Sequence, residues 1–355
     1  MRRFLVYILM LFMLVACSNH QQPNRDEEMD VAMTQATPSI LAENLQIPWS
    51  IQKLSDTFYI SERPGSIVKI ENGQKTRLQV SLSRPLSKAA EAGLLGFVLH
   101  PNFMENKHAY AYYTYEENGD QFNRVVLLTL QNVVWSESQV LLDLIPSGTF
   151  HHGGRLKIGP DQKLYITTGD ATNPENAQNV KSLAGKILRM NLDGSIPSDN
   201  PFANSYIYSY GHRNPQGLAW DESGALYESE HGQSAHDELN QIKAGANYGW
   251  PIIQGYEKQQ GMVTPLFQTG EVTWAPSGIA YHDGKLYVAT LRGEALQEVD
   301  LTTRKNRELI TGLGRIRDII IDGEYLYFVS NNTDGRGRPL EGDDKLYEIR
   351  LSEWK

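Results

Sequence analysis

The sequence predicts an all-β protein, a six-bladed β-propeller built from four-stranded antiparallel blades. Three observations carry this. One pattern recurs six times, a turn of Asp, Gly or Lys, an aromatic strand, then a loop of polar and small residues. The copies are "DTFYISERPG", "KHAYAYYTY", "QKLYITTGD", "GALYESEHG", "GKLYVATLRG" and "GEYLYFVSNNTDG". Most copies are followed by a second segment that alternates apolar and polar residues, the period of a strand with one buried face. No segment carries a long helical stripe, and 30 glycines with 18 tyrosines in 355 residues fit a turn-rich β chain. The aligned tyrosines, Tyr59, Tyr110, Tyr165, Tyr227, Tyr287 and Tyr327, stand 40 to 62 residues apart. That spacing is too large for the strands of a sandwich and far too large for the coils of a β-helix. It suits propeller blades.

Taken in chain order, the first element is a targeting segment. Arg2 and Arg3 precede an apolar run over residues 4–15, about the length of a signal-peptide core and shorter than the ~20 residues of a spanning helix. It ends in "LVAC", which resembles the cleavage box of bacterial lipoproteins. Cys17 is the only cysteine, so no intramolecular disulfide forms. We expect residues 1–17 to be a lipoprotein signal and Cys17 to be diacylated, the two-chain anchor that makes membrane attachment stable. The chain is then exported and tethered to the outer face of a bacterial membrane, at the cell surface or in the periplasm. Residues 18–37 are polar and aperiodic and read as a flexible tether. The propeller domain is expected over 38–355.

Within it the alternating partner strands are "SIVKIENG", "VVLLTLQN", "KILRMNLDG", "ALQEVDLTT" and "KLYEIRLSE", and a short helix is expected within 86–96. The chain is 40% apolar and 21% charged, ordinary for a globular protein with a substantial core. A net charge of −9 argues against nucleic acid as a partner.

The unusual residues lie in loops between these strands, and in a propeller the loops of one face converge near the axis. "EAGLLGFVLHP" precedes the second repeat, "TFHHGGRLKIGPD" the third and "GHRNPQG" the fourth, which "SEHGQSAHDELNQIKAGANYGWP" follows. "ATLRG" and "GRIRD" come from the last two repeats. "GHRNPQG" is the most telling. It places an always-charged guanidinium beside an asparagine in a turn fixed by glycine and proline, which suits the grip of a planar anion.

"HHGGRL", "GKILRMNLDGSIPSDNPF", "GHRNPQGLAW" and "DELNQIKAGANYGWP", in this order, resemble the soluble glucose/sorbosone dehydrogenase family. The resemblance runs from about residue 40 to the C-terminus. It is nearest to the aldose sugar dehydrogenase branch, because the large insertions of the glucose-specific branch are missing. The resemblance implies a six-bladed propeller that holds pyrroloquinoline quinone (PQQ) and calcium, oxidises the C1 hydroxyl of aldoses to lactones, and passes electrons to an external acceptor.

It also implies roles for particular residues. His151 is the general base that takes the C1 hydroxyl proton while hydride moves to the quinone C5, a task suited to an imidazole near neutral pH. Glycines 153 and 154 let a flat cofactor approach the backbone, and His152 is structural. Asp170 orients His151 by a hydrogen bond or is a turn residue. Arg213 and Asn214 contact the cofactor, with Arg213 also serving the reaction. Arg292, Arg315 and Arg317 add basic contacts, three guanidiniums against three carboxylates. Trp274 covers the ring face or the sugar, or is a core tryptophan. The Gly232 and Gln233 carbonyls hold the calcium that touches the cofactor and polarises the C5 carbonyl. Glu238 and the Tyr248 carbonyl match ligands of a second, structural calcium. Two residues depart from the family. Glu91 replaces the usual glutamine against the cofactor, where a carboxylate repels an anionic quinone unless protonated or paired. Phe150 replaces the acidic residue before the base in the glucose-specific enzymes, removing a charge that tunes it.

Two other functions fit the fold. A non-catalytic binding propeller has no reason to keep the histidine, the arginines and the carbonyl-rich loop together. A calcium-dependent lactonase propeller needs Asn, Asp and Glu side chains converging on one axial ion, whereas this sequence concentrates arginines.

Overall fold

The structure, a computed structural model, describes residues 37–354. The expected signal, its lipidation at Cys17 and all but the last residue of the tether lie outside the described residues. After β1 (Ser39–Ala42), the first meander is β2 (Pro48–Leu54), β3 (Thr57–Glu62), β4 (Ser66–Glu71) and β5 (Gln74–Ser81). The second is β6 (Leu94–Leu99), β7 (His108–Glu117), β8 (Asp120–Gln131) and β9 (Val134–Pro146), with α1 (Phe103–Asn106) between its first two strands. The third is β10 (Leu156–Ile158), β11 (Leu164–Thr168), β12 (Lys186–Met190) and β13 (Ile207–Tyr210), with α2 (Glu175–Gln178) after β11. The fourth is β14 (Pro215–Trp220), β15 (Leu226–Glu230), β16 (Glu238–Ile242) and β17 (Phe267–Gln268). The fifth is β18 (Pro276–His282), β19 (Lys285–Thr290), β20 (Ala295–Asp300) and β21 (Asn306–Thr311). The last is β22 (Ile316–Asp322), β23 (Tyr325–Ser330) and β24 (Leu346–Arg350), and β1 completes it by pairing antiparallel with β24.

The repeated tyrosines occupy one place in this plan. Tyr59, Tyr110, Tyr165, Tyr227, Tyr287 and Tyr327 lie on β3, β7, β11, β15, β19 and β23, the second strand of each meander. These inner strands are buried on both faces, as in β11 and β15, while the outer β5 and β21 are largely exposed. Apolar core therefore fills the space between sheets, and a hydrophobic cluster joins each neighbouring pair. The cluster around Ile51, Ile60, Tyr327 and Val329 joins the last meander to the first, so the packing closes into a ring. The described residues form a β-propeller.

Two expectations are corrected. Not every sheet is four-stranded: the first two meanders merge into one sheet of eight. Their outer strands β5 and β9 pair in parallel at Gln79–Val134, Val80–Trp135 and Ser81–Ser136, which covers an otherwise open edge. No helix forms within 86–96. Glu91 and Gly93 both adopt positive φ (65° and 138°), so the chain turns there and enters β6.

Candidate active site

The loops that precede the first strand of each meander, and those that join its second strand to its third, meet at one end of the ring. They enclose a cavity of about 410 Å³ lined by Glu91, His151, Arg213, Asn214, Gly232, Gln233, Arg292, Arg315 and Arg317, all named from the sequence. His151 sits on the approach to β10 with φ of 63°. Its Nδ1 is 2.8 Å from Asp170 Oδ1, just past the end of β11. Asp170 is 1% exposed, and its Oδ2 accepts the Trp250 Nε1–H at 2.9 Å. A buried carboxylate on Nδ1 fixes the neutral ring as the Nδ1–H tautomer and leaves the Nε2 lone pair free to take a proton.

Glycine is needed beside His151 for packing as well. Gly153 has φ of 64°, and a Cβ there would lie 2.7 Å from the backbone of Thr167 to Gly169. The constraint is close packing on β11 and a left-handed conformation, and Gly153 also lines the cavity. His152 is structural in its contacts: Nδ1 meets Ser147 Oγ at 2.7 Å and Nε2 the Ala90 carbonyl at 2.9 Å.

Arg213 and Asn214 are held from behind. The Arg213 N–H donates to Glu230 Oε2 at 2.6 Å, its guanidinium lies 5.4 Å from the Trp250 ring centre, and Asn214 Oδ1 accepts the Gly153 N–H at 3.1 Å. Arg213 Nε is buried with no hydrogen-bond partner, and so is Nε2 of the neighbouring His231. Burial pushes His231 down to about 3, so this imidazole is neutral. Arg315 pairs with Asp334 at 2.7 Å and donates to the Leu291 carbonyl. Arg317 meets only neutral acceptors, Asn331 Oδ1 and Gln216 Oε1, and burial with the adjacent Arg315 charge lowers it to about 9. Arg292 is exposed at the rim.

Glu91 is paired. Burial alone would raise its carboxyl, but the Arg336 guanidinium bonded to Oε1 holds it at about 2. Its Oε2 accepts the His151 N–H at 3.5 Å. Arg336 also lies over the Phe150 ring, 5.6 Å from its centre.

The carbonyl-rich loop is shaped by Asp237, whose Oδ1 accepts the Gly232 N–H at 2.8 Å and whose Oδ2 accepts those of Trp274 and Ala275 at 2.6 and 2.8 Å. Among the described residues, neither the Gly232 nor the Gln233 carbonyl accepts a backbone hydrogen bond, so both have lone pairs to offer a hard cation. Glu238 and Tyr248 line a separate small cavity of about 20 Å³ with Glu230, about the space of one ion or water. Burial and the Glu230 charge push Glu238 up to about 8. These donors fit a calcium ion in kind.

Trp274 does not line the main cavity. Its ring stacks on Phe267 at 5.3 Å inside the cluster with Leu239 and Ile279, and Trp49 lines the cavity instead. The sequence reading also missed Arg63, His231, Asp237, Asp334 and Arg336, all in the lining. A signal for most of them was present. "SERPG", "SEHG" and "NNTDGRG" follow the aromatic strand of their repeats, as "TTGD" and "ATLRG" do.

The lining holds six arginines (63, 213, 292, 315, 317 and 336) against Glu91, Asp237 and Asp334, an excess of three positive charges. Together with the two orphaned buried nitrogens, it suits a polyanionic ligand. Known proteins place the chain. The solved PQQ-bound aldose sugar dehydrogenase of Streptomyces coelicolor is 37% identical, with a TM-score of 0.83 over 88% of this chain and 96% of that one. Aldose sugar dehydrogenase YliI of Escherichia coli is 29% identical over 83% of this chain and 90% of its own. Quinoprotein glucose dehydrogenase B of Acinetobacter calcoaceticus is 39% identical over 48% of this chain and 42% of its own. The profile of the family described as "Glucose / Sorbosone dehydrogenase" matches residues 45–340, and the chain belongs to that family.

Proposed function

We propose that the chain oxidises the C1 hydroxyl of aldose sugars to lactones with PQQ as cofactor, and passes the electrons to an external acceptor. The observation that carries this is His151, oriented by a buried Asp170, at the wall of a cavity with three excess positive charges. Bound PQQ supplies the two-electron acceptor for the hydride leaving C1. His151 Nε2 would take the hydroxyl proton as C1 is oxidised. Arg213, Arg315 and Arg317 would hold the anionic groups of such a cofactor, and the orphaned Arg213 Nε and His231 Nε2 are free to meet it. The Gly232 and Gln233 carbonyls would hold a calcium ion that supplies Lewis-acid assistance, and Glu238 with the Tyr248 carbonyl a structural one.

We read the eight-stranded sheet as two blades joined at their outer edges, which gives six blades in all. The "LVAC" box supports export and a lipid anchor at Cys17.

The test uses the purified chain without residues 1–17. Dye reduction is followed with D-glucose and other aldoses, with and without added PQQ and calcium. The expected result is turnover that requires both additions and falls by about 10²–10⁴-fold in His151→Ala while PQQ still binds. A chain that neither binds PQQ nor turns over any aldose would overturn the reading.

A further inference from the structure

The three carboxylates of the cavity are neutralised in different ways. Asp334 is locked to the buried Arg315, and Asp237 is satisfied by three backbone N–H groups. Glu91 relies on Arg336, whose side chain is 49% exposed and which lies 245 residues away in the chain. Arg63 gives its Nε to the Ala92 carbonyl, and Arg213 and Arg317 face Glu91 across the cavity without bonding to it. The remaining short contact to Glu91 is the weak one from the His151 N–H at 3.5 Å. Phe150 lies under the guanidinium and holds it over the carboxylate at the cavity mouth. The loops leading into the second and third meanders and the loop between β23 and β24 are thus tied at one point.

We propose that Arg336 is a charge-compensating residue for cofactor capture, cancelling Glu91 so that the cavity keeps its positive excess beside His151. This rests on the reading of an anionic quinone as cofactor. Without Arg336, Glu91 turns a bare carboxylate toward an anion in a partly desolvated space, where like charges repel strongly. Arg336 then acts through Glu91, and the cost of losing it disappears when Glu91 is neutral.

The experiment measures PQQ binding to the cofactor-free chain with calcium present, by quenching of tryptophan fluorescence, which Trp49 in the cavity lining and Trp250 against Arg213 report. Arg336→Gln is expected to weaken binding at least ten-fold. Glu91→Gln should bind as tightly as the unaltered chain or a few-fold more tightly. The double variant should return to within about three-fold of it. Thermal melts of all four proteins establish that each is folded; Arg336 is half exposed, so the fold tolerates its loss. Equal binding by Arg336→Gln and the unaltered chain overturns the inference, and so does a double variant as weak as the single one. If the unaltered chain itself fails to bind PQQ, the quinone reading falls and this inference with it. Loss confined to Arg336→Gln leaves that reading standing.

Discussion

At the scale of single residues, the decisive arrangement is the Trp250–Asp170–His151 chain. Asp170 must accept on both oxygens: Oδ1 receives the Nδ1–H of His151 and the Thr172 N–H, and Oδ2 receives the indole N–H of Trp250. An asparagine has one oxygen. If that oxygen stays with Trp250, its NH₂ faces His151, donates to Nδ1 and forces the proton onto Nε2, where the base needs a lone pair. If the oxygen stays with His151, the NH₂ meets the indole donor. Asp170→Asn is therefore expected to lower kcat by about 10²-fold or more while KM and PQQ affinity stay within about three-fold. Steady-state kinetics beside the binding titration check this; a kcat within ten-fold of the unaltered chain would refute it. The sequence reading gave Asp170, in "TTGD", the role of orienting His151, with a turn residue as the alternative. Glu91 shows the limit of sequence reading. Its partner is 245 residues distant, and no local pattern ties "EAGLLG" to "NNTDGRG". Trp274 shows another, since a tryptophan one residue from a cavity-lining Ala275 has its ring in the core.

At the scale of elements, the six tyrosines were legible because each second strand is buried on both sheet faces and repeats the same packing problem. The merged sheet was not legible. Its parallel pairing of β5 with β9 is made by backbone groups at sheet edges, which leave no side-chain period. The loop between β15 and β16, with the turn around Tyr248, is where a bound cation would change stability. Glu228, Glu230 and Glu238 crowd the Asn240 amide, which lies 3.2 to 3.3 Å from each. Three carboxylates against one neutral NH₂ group repel one another unless protons or a cation intervene. Calcium at Glu238 and the Tyr248 carbonyl would relieve this by binding only the folded chain. Added calcium is expected to raise the melting temperature and chelation to lower it, by several degrees for the 1–2 kcal/mol or so that such linkage supplies. In Glu238→Gln that calcium-dependent increment should shrink to what the Gly232–Gln233 site alone supplies, while the chelated protein melts no lower than the chelated unaltered chain. A full calcium increment retained in the variant would remove Glu238 from the site.

For the whole described unit, the deciding fact is where the apolar core lies. Every hydrophobic cluster spans neighbouring meanders, so no meander owns a private core and each depends on both neighbours. Such a ring gains its last interface only when the first and last meanders meet, around Ile51, Ile60, Val68, Tyr327, Val329 and Leu346. β1 fastens that junction. It pairs with β24 at Ser39–Glu348, Ile40–Tyr347 and Ala42–Leu346, and Leu41 and Ala42 pack against the closing cluster. Because β1 comes from the opposite end of the chain, its ladder ties together segments whose loop-closure entropy would otherwise favour opening. Removing it exposes the edge of β24 and part of the closing cluster, while the hydrogen bonds of Asn44 and Leu45 to the carbonyls of Gly342 and Asp344 remain. With net backbone hydrogen bonds near 1 kcal/mol each, and some apolar burial lost with them, the loss should be on the order of a few kcal/mol. A chain beginning at residue 43 is then expected to unfold in urea at a clearly lower midpoint than one beginning at residue 36. Both should unfold in a single transition, because opening one junction leaves two meanders without a partner face. Unchanged midpoints would show that the clusters alone close the ring, and a separate early transition would show that the last meander folds independently of its neighbours.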